Sequence, residues 1–166
     1  MTMAGINTQL ALFSTGPEME VFFTGESTSA ETMGVTGILL VDDDIDCLQL
    51  LEEYLTMEGF KVTCASNGYE ALNLLKTDSF AIMLTDYNMP GIDGLRLSEK
   101  ARMSDPKMII IMLTGAPLNQ ILADAIKLGI AAVLAKPYQL AELLDLIQRT
   151  RRELEGEYRL VGDCYY

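Results

Sequence analysis

Short apolar runs alternate with helical patterns along most of this chain. Five mostly apolar runs have the length and content of strands buried on both faces, at 38–41, 60–65, 80–85, 108–113 and 130–135. Between them, leucines recur every three or four residues, as at Leu48, Leu51 and Leu55, which is typical of an amphipathic helix. Gly59 and Pro106 end two of these helical segments. The alternation predicts an α/β fold, with a doubly wound, five-stranded parallel sheet covered by helices on both faces.

The alternation occupies only part of the chain. Residues 1–36 contain four Glu, no basic residue and no sustained period, so we predict a flexible N-terminal extension there. Residues 37–155 form the predicted domain. Residues 156–166 are too few for another domain and are predicted to be a C-terminal tail.

Residues with reactive side chains stand where the predicted strands end. They are Asp42, Asp43 and Asp44 after the first strand, Asp86 after the third, Thr114 after the fourth and Lys136 after the fifth. The carboxyl ends of parallel strands share one edge, where ligands gather in open α/β sheets. Clustered carboxylates repel unless a cation joins them, and Mg²⁺ suits such oxygen ligands. A Lys and a Thr hydroxyl could hold a phosphoryl group there, with one carboxylate acting as the nucleophile toward phosphorus.

Four motifs around these positions resemble the response-regulator receiver domains of two-component signalling. They are VDDD at 41–44, TDYNMPGIDG at 85–94, LTG at 113–115 and AKPY at 135–138. They occur in the family's order and spacing, and the resemblance covers roughly residues 37–155. It implies a flavodoxin-like sheet with strand order 2-1-3-4-5.

The resemblance also implies a role for each matching residue. Asp86 would be the phosphoacceptor, while Lys136 would pair with Asp86 and then with the phosphoryl oxygens. Thr114 would move its hydroxyl onto the phosphoryl group. The metal Mg²⁺ would be held by Asp42, Asp43, Asp86 and the backbone carbonyl of Asn88. A cis bond between Lys136 and Pro137 is also usual in the family.

One position departs from the family pattern. Receiver domains often have Tyr or Phe three residues before the Lys, and its ring rotates as the Thr shifts. Here that residue is Val133. We therefore expect a smaller or differently routed change on the face formed by the fourth helix, the fifth strand and the fifth helix.

Composition limits the partners. A net charge of −12 argues against nucleic acid, which would repel this chain. No apolar run approaches the roughly 20 residues of a membrane helix, so we expect no membrane partner and a cytoplasmic protein. The chain has no His, so any phosphohistidine must come from a partner. We expect a sensor histidine kinase or phosphotransfer protein as the donor, and an unidentified protein as the downstream target.

These observations predict a stand-alone receiver, a switch that catalyses only its own phosphorylation and dephosphorylation. One alternative is a receiver-shaped adaptor that binds partners without phosphorylation. Another is a phosphatase that uses Asp42, because the pair Asp42 and Asp44 resembles the nucleophile motif of haloacid-dehalogenase-type enzymes. Asp43 or Asp44 could simply cap the first helix, and with Asp43 expected at the metal the cap is expected to be Asp44. A calcium-binding EF-hand loop beginning at Asp42 is disfavoured, because Cys47 stands where that loop needs Gly.

Overall fold

The computed structural model describes residues 11–14, 19–23 and 37–154. Its strands are β1 (Ala11–Ser14), β2 (Met19–Phe23), β3 (Gly37–Val41), β4 (Lys61–Ala65), β5 (Ile82–Asp86), β6 (Ile109–Thr114) and β7 (Ala132–Ala135). Its helices are α1 (Ile45–Met57), α2 (Gly68–Thr77), α3 (Gly94–Ser104), α4 (Leu118–Lys127) and α5 (Leu140–Leu154). The five predicted strand–helix units are therefore all present.

The sheet has the order β2-β1-β7-β6-β5-β3-β4. Strands β3 to β7 are mutually parallel and give the predicted order 2-1-3-4-5, which is confirmed. Within the described residues, two further strands extend this sheet: β1 pairs parallel to β7, and β2 pairs antiparallel to β1. The predicted flexible extension, residues 1–36, lies partly outside the described residues and stays a prediction. The predicted tail, residues 156–166, lies wholly outside them.

Alternate residues of the central strands face opposite sides of the sheet. In β3, Leu39 and Val41 pack in the layer with α2, α3 and α4, whereas Ile38 and Leu40 pack in the layer with α1 and α5. All five residues of β5 and all six of β6 are buried, as expected for strands covered on both faces. The unbroken apolar runs in the sequence thus reflect helices on both sides of the sheet.

Local side-chain chemistry sets where three helices begin. Asp44 caps α1 by accepting the backbone N–H groups of Asp46 and Cys47, so its predicted capping role is confirmed. Asn67 caps α2 and Asp93 caps α3 in the same way. Within the described residues, no helix has both the length and the apolar content needed to cross a bilayer.

Some predicted boundaries were displaced by tertiary hydrogen bonds. The third strand ends at Asp86 rather than Thr85, because Asp86 still pairs with Leu113 of β6. The fifth strand begins at Ala132 rather than Ile130, whose N–H instead bonds the carbonyl of Ala125 in α4.

Candidate functional site

Strand order brings the predicted residues to one rim. Strand β5 lies directly between β3 and β6, and β7 lies on the far side of β6. Asp42 follows the last residue of β3, Asp86 and Thr114 end their strands, and Lys136 follows β7. Four loops therefore converge at the carboxyl edge of the sheet, as the sequence predicts.

A lysine joins two buried carboxylates at the centre of this rim. The Nζ atom of Lys136 lies 2.5 Å from Oδ1 of Asp86 and 2.9 Å from Oδ2 of Asp42. Asp42 is 1% exposed and Asp86 is 5% exposed, while the Lys136 side chain keeps 31% of its surface open to solvent. The site is thus a recessed ion-pair cluster that solvent reaches from the lysine side.

Backbone groups hold the second oxygen of each carboxylate. The N–H of Asn88 donates to Oδ2 of Asp86 at 2.7 Å, and the N–H of Asp44 donates to Oδ1 of Asp42 at 3.0 Å. Both carboxylates therefore have fixed orientations, with one oxygen toward Lys136 and the other toward a loop N–H. Asp86 is placed between the core strands and the loop that follows β5.

Burial opposes the negative charge of the phosphoacceptor candidate. Burial raises the pKa of Asp86 above its usual value, and the hydrogen bond and charge of Lys136 only partly offset this. Burial alone would lower the pKa of Lys136, but its hydrogen bonds to Asp86 and Asp42 raise it. Lys136 is therefore a permanent cation at neutral pH. The three groups together carry a net charge of −1 when both carboxylates are ionised.

Thr114 and the bond after Lys136 complete the rim. Thr114 is fully buried, and its hydroxyl oxygen accepts the N–H of Ala116 at 2.9 Å. The Thr114 carbonyl accepts the N–H of Lys136 at 2.6 Å. This hydrogen bond joins the end of β6 to the start of the loop that follows β7. The predicted cis peptide bond between Lys136 and Pro137 is confirmed.

Asp43 stands apart from the buried pair. It is exposed to solvent beside Asp42. Among the described residues, no group of three or more Asp, Glu or Cys side chains is arranged to hold a metal ion. Mg²⁺, however, commonly uses only one or two carboxylates and keeps several waters. The oxygen donors at this rim fit that requirement. With Asp43 added, the net charge of Asp42, Asp86 and Lys136 changes from −1 to −2, which one divalent cation balances.

Sequence reasoning gave no role at this site to two side chains beside the cluster, Cys47 and Tyr138. Burial and the charge of Asp42 raise the pKa of Cys47 to about 11, so its thiol stays protonated at neutral pH. Burial, which disfavours the phenolate, also raises the pKa of Tyr138. Both residues pack in the layer with α1 and α5. Their positions, just after the acidic run and just after Lys136-Pro137, were the available signals.

The chain matches one family and many of its members. The profile of the response regulator receiver domain matches residues 38–148. The response regulator receiver protein CpdR of Brucella abortus is 35% identical over 112 residues, which cover 68% of this chain and 93% of CpdR. The C4-dicarboxylate transport transcriptional regulatory protein DctD of Rhizobium meliloti is 33% identical over 75% of this chain, but that match spans only 26% of DctD.

Solved structures agree with the sequence matches. A CheY-like receiver domain protein from Methanospirillum hungatei superposes with a TM-score of 0.72 at 31% identity, covering 75% of this chain and 99% of that one. TrrA from Thermotoga maritima, solved in complex with Mg(2+)-BeF, has a TM-score of 0.63 at 29% identity, covering 69% of this chain and 98% of that one.

Proposed function

This chain belongs to the response regulator receiver domain family, and on that premise we propose that it is a switch phosphorylated on Asp86. Receiver domains are signalling switches of two-component systems. The observation that carries the proposal is the single lysine bridging two buried carboxylates. The expectation that the receiver acts without an output domain of its own stays a prediction.

Asp86 has the features of a nucleophile toward phosphorus. One carboxylate oxygen is oriented by the Asn88 N–H, and the other lies against Lys136. An incoming phosphoryl group would bring negative oxygens to the ammonium of Lys136, which can exchange its contact with Asp86 for them. An Asp86 oxygen forms the new bond to phosphorus as the donor's bond to phosphorus breaks, and the product is an acyl phosphate.

Receiver domains bind Mg²⁺ at the phosphorylation site, and the residues here fit that ion in type and charge. We propose Asp42, Asp43, Asp86 and the backbone carbonyl of Asn88 as its ligands, directly or through water. When bound, Mg²⁺ would neutralise charge on the phosphoryl oxygens. Asp42 would hold it from the recessed end of the site and the exposed Asp43 from the solvent side.

The phosphoryl donor must come from outside. The chain contains no His, so a phosphohistidine would belong to a partner histidine kinase or phosphotransfer protein. In that transfer the phosphorus–nitrogen bond breaks and the imidazole retains the electron pair. The open side of Lys136 and the exposed Asp43 leave an approach for the donor.

We propose Thr114 as the residue that converts phosphorylation into a conformational shift. Its hydroxyl can leave the Ala116 N–H and donate to a phosphoryl oxygen, and the loop between β6 and α4 would follow. Val133 is 2% exposed and lies in the strand beside β6. Because Val133 has no ring to rotate, we infer that this shift is smaller or differently routed on the face of α4, β7 and α5.

Labelling with a small phosphodonor tests the proposal. With acetyl phosphate and Mg²⁺, mass spectrometry should show one added phosphoryl group in the wild type and in Asp124→Asn, an exposed aspartate on α4 that serves as the control. Asp86→Asn should remain unlabelled.

Two other outcomes would replace the proposal. An unlabelled wild-type protein would favour the adaptor function, in which partners bind without phosphorylation. Labelling that survives Asp86→Asn but disappears in Asp42→Asn would make Asp42 the nucleophile, as in the phosphatase alternative.

A further inference from the structure

The loop of residues 87–93, which we call the acceptor loop, joins β5 to α3 beside Asp86. Its Asn88 supplies the N–H that orients Asp86 and the carbonyl proposed as a metal ligand. Its Tyr87 donates a backbone N–H to the carbonyl of Leu113 at 2.8 Å. The position of this loop therefore sets the position of two contacts in the site.

The acceptor loop packs tightly against the first turn of α2. A Cβ atom built on Gly68 would lie 2.7 Å from Cβ and 2.9 Å from the carbonyl oxygen of Ile92. Ile92 is buried, so it cannot turn away into solvent. Only glycine at position 68 allows the two segments to approach this closely.

A second contact follows one residue later. Gly91 has a φ of +81°, and a Cβ built there would lie 3.1 Å from Cε2 of Tyr69. The Tyr69 ring thus covers the left-handed turn of the acceptor loop, although Tyr69 is 63% exposed. A large exposed aromatic side chain placed on a glycine backbone restricts the loop without filling the core.

The first turn of α2 is itself held in place. Asn67 accepts the N–H of Glu70 at 2.9 Å, and the Glu70 carboxylate accepts both the N–H and the hydroxyl of Ser66 at 2.8 Å. These two sets of hydrogen bonds fix the turn that carries Gly68 and Tyr69. The turn can therefore serve as a support for the acceptor loop.

We propose that Gly68 and Tyr69 are positioning residues that hold the acceptor loop so that Asn88 can take part in binding Mg²⁺. The inference rests on the proposed function and deepens it. It locates control of metal affinity in α2, more than 15 residues before the phosphoacceptor in the chain. Because binding linkage is reciprocal, Mg²⁺ should in turn stabilise the contact between α2 and the loop.

The test varies the Mg²⁺ concentration in the full chain. Initial rates of labelling by acetyl phosphate give the Mg²⁺ concentration at half-maximal rate, together with the rate at saturating Mg²⁺. Tyr69→Ala removes the ring and Tyr69→Phe keeps it. Gly68→Ala introduces the overlap with Ile92, whereas Gly37→Ala is a matched control, because a Cβ there would be 3.7 Å from its nearest neighbour.

We expect Tyr69→Ala and Gly68→Ala to raise the half-saturating Mg²⁺ concentration about 3- to 10-fold, the effect of one misplaced hydrogen-bonding group. The rate at saturating Mg²⁺ should return to near the wild-type value. Tyr69→Phe and Gly37→Ala should behave like the wild type. If these contacts were merely structural, Tyr69→Ala and Gly68→Ala would lower the stability of the fold but would not raise the half-saturating Mg²⁺ concentration.

A second readout does not depend on phosphoryl transfer. The rise in the thermal unfolding midpoint is followed as Mg²⁺ is added, and Tyr69→Ala should need the same 3- to 10-fold more metal. Unchanged metal dependence in Tyr69→Ala would overturn the inference, even if Gly68→Ala fails to fold. If the wild type responds to Mg²⁺ with the expected shift in Tyr69→Ala but is never labelled, the proposed phosphorylation fails while the positioning role stands. If the wild type is labelled but neither its labelling rate nor its unfolding midpoint responds to Mg²⁺, the positioning role fails while the proposed phosphorylation stands.

Discussion

The substitution Lys136→Met would remove the charge at the centre of the site while nearly preserving the side chain's length. In the folded protein the ammonium lies 2.5 Å from Asp86 and 2.9 Å from Asp42. The two carboxylate side chains are only 7% and 2% exposed. Without the lysine, two recessed negative charges would face each other with no cation between them.

The expected loss of stability lies between two limits. Breaking a fully buried ion pair destabilises a protein by about 3–5 kcal/mol, whereas an exposed pair contributes about 0–1 kcal/mol. Lys136 is 31% exposed and solvent can partly replace it, so we expect a loss of about 2 kcal/mol. In urea, this corresponds to a midpoint lower by roughly 1 M.

The loss should depend on pH in a definite direction. Burial raises the pKa of Asp86 in the folded state above its unfolded value. Between those two pKa values the folded state binds more protons, so the free energy of unfolding falls as pH rises through that window. Removing Lys136 raises the folded pKa further, which widens the window. The penalty in Lys136→Met should therefore be full at neutral pH and shrink as Asp86 becomes protonated.

Urea unfolding followed by circular dichroism, in EDTA at pH values from about 4 to about 8, measures this difference, because the range runs upward from the ordinary carboxyl pKa of about 4. Lys127→Met is the matched control, because its ion pair with Asp124 is exposed and should contribute less than about 1 kcal/mol. If Lys136→Met loses no more stability than Lys127→Met, and the loss does not vary with pH, the buried ion-pair cluster does not exist as described.

Three further predictions concern other parts of the domain. Arg102→Met should destabilise the fold by about 1–3 kcal/mol in urea unfolding, because the Arg102 guanidinium donates to three backbone carbonyls. The control Arg96→Met, at the surface, should change stability by about 0.5 kcal/mol or less. Equal effects of the two substitutions would contradict this prediction. Gly94→Ala should destabilise by about 1–3 kcal/mol, since a Cβ there would overlap the Asp86 carbonyl, while Gly115→Ala has open space and serves as its control in the same measurement. Adding Mg²⁺ at about 100 times its dissociation constant should stabilise the wild type by about 2.7 kcal/mol in thermal unfolding, and removing it with EDTA should reverse this; an unchanged midpoint would argue against a metal site.

The sequence alone determined the alternating strands and helices and the residues at the strand ends. Unbroken apolar runs and a period of 3.6 residues are local properties, as is the capping of α1 by Asp44, so they can be read without knowing the sheet. The family motifs then supplied the strand order and the roles expected of Asp86, Thr114 and Lys136. All three lie at the predicted rim.

Tertiary structure alone decided how those residues differ from one another. Asp42 and Asp43 are neighbours in the sequence, yet one is buried against Lys136 and the other is exposed. The contact between Gly68 and Ile92 is also decided by the tertiary structure, because it depends on how α2 meets the acceptor loop. The pairing of β1 with β7 likewise joins two strands that lie far apart in the chain. Burial, close approach and strand pairing are relations between distant segments, and no local pattern contains them.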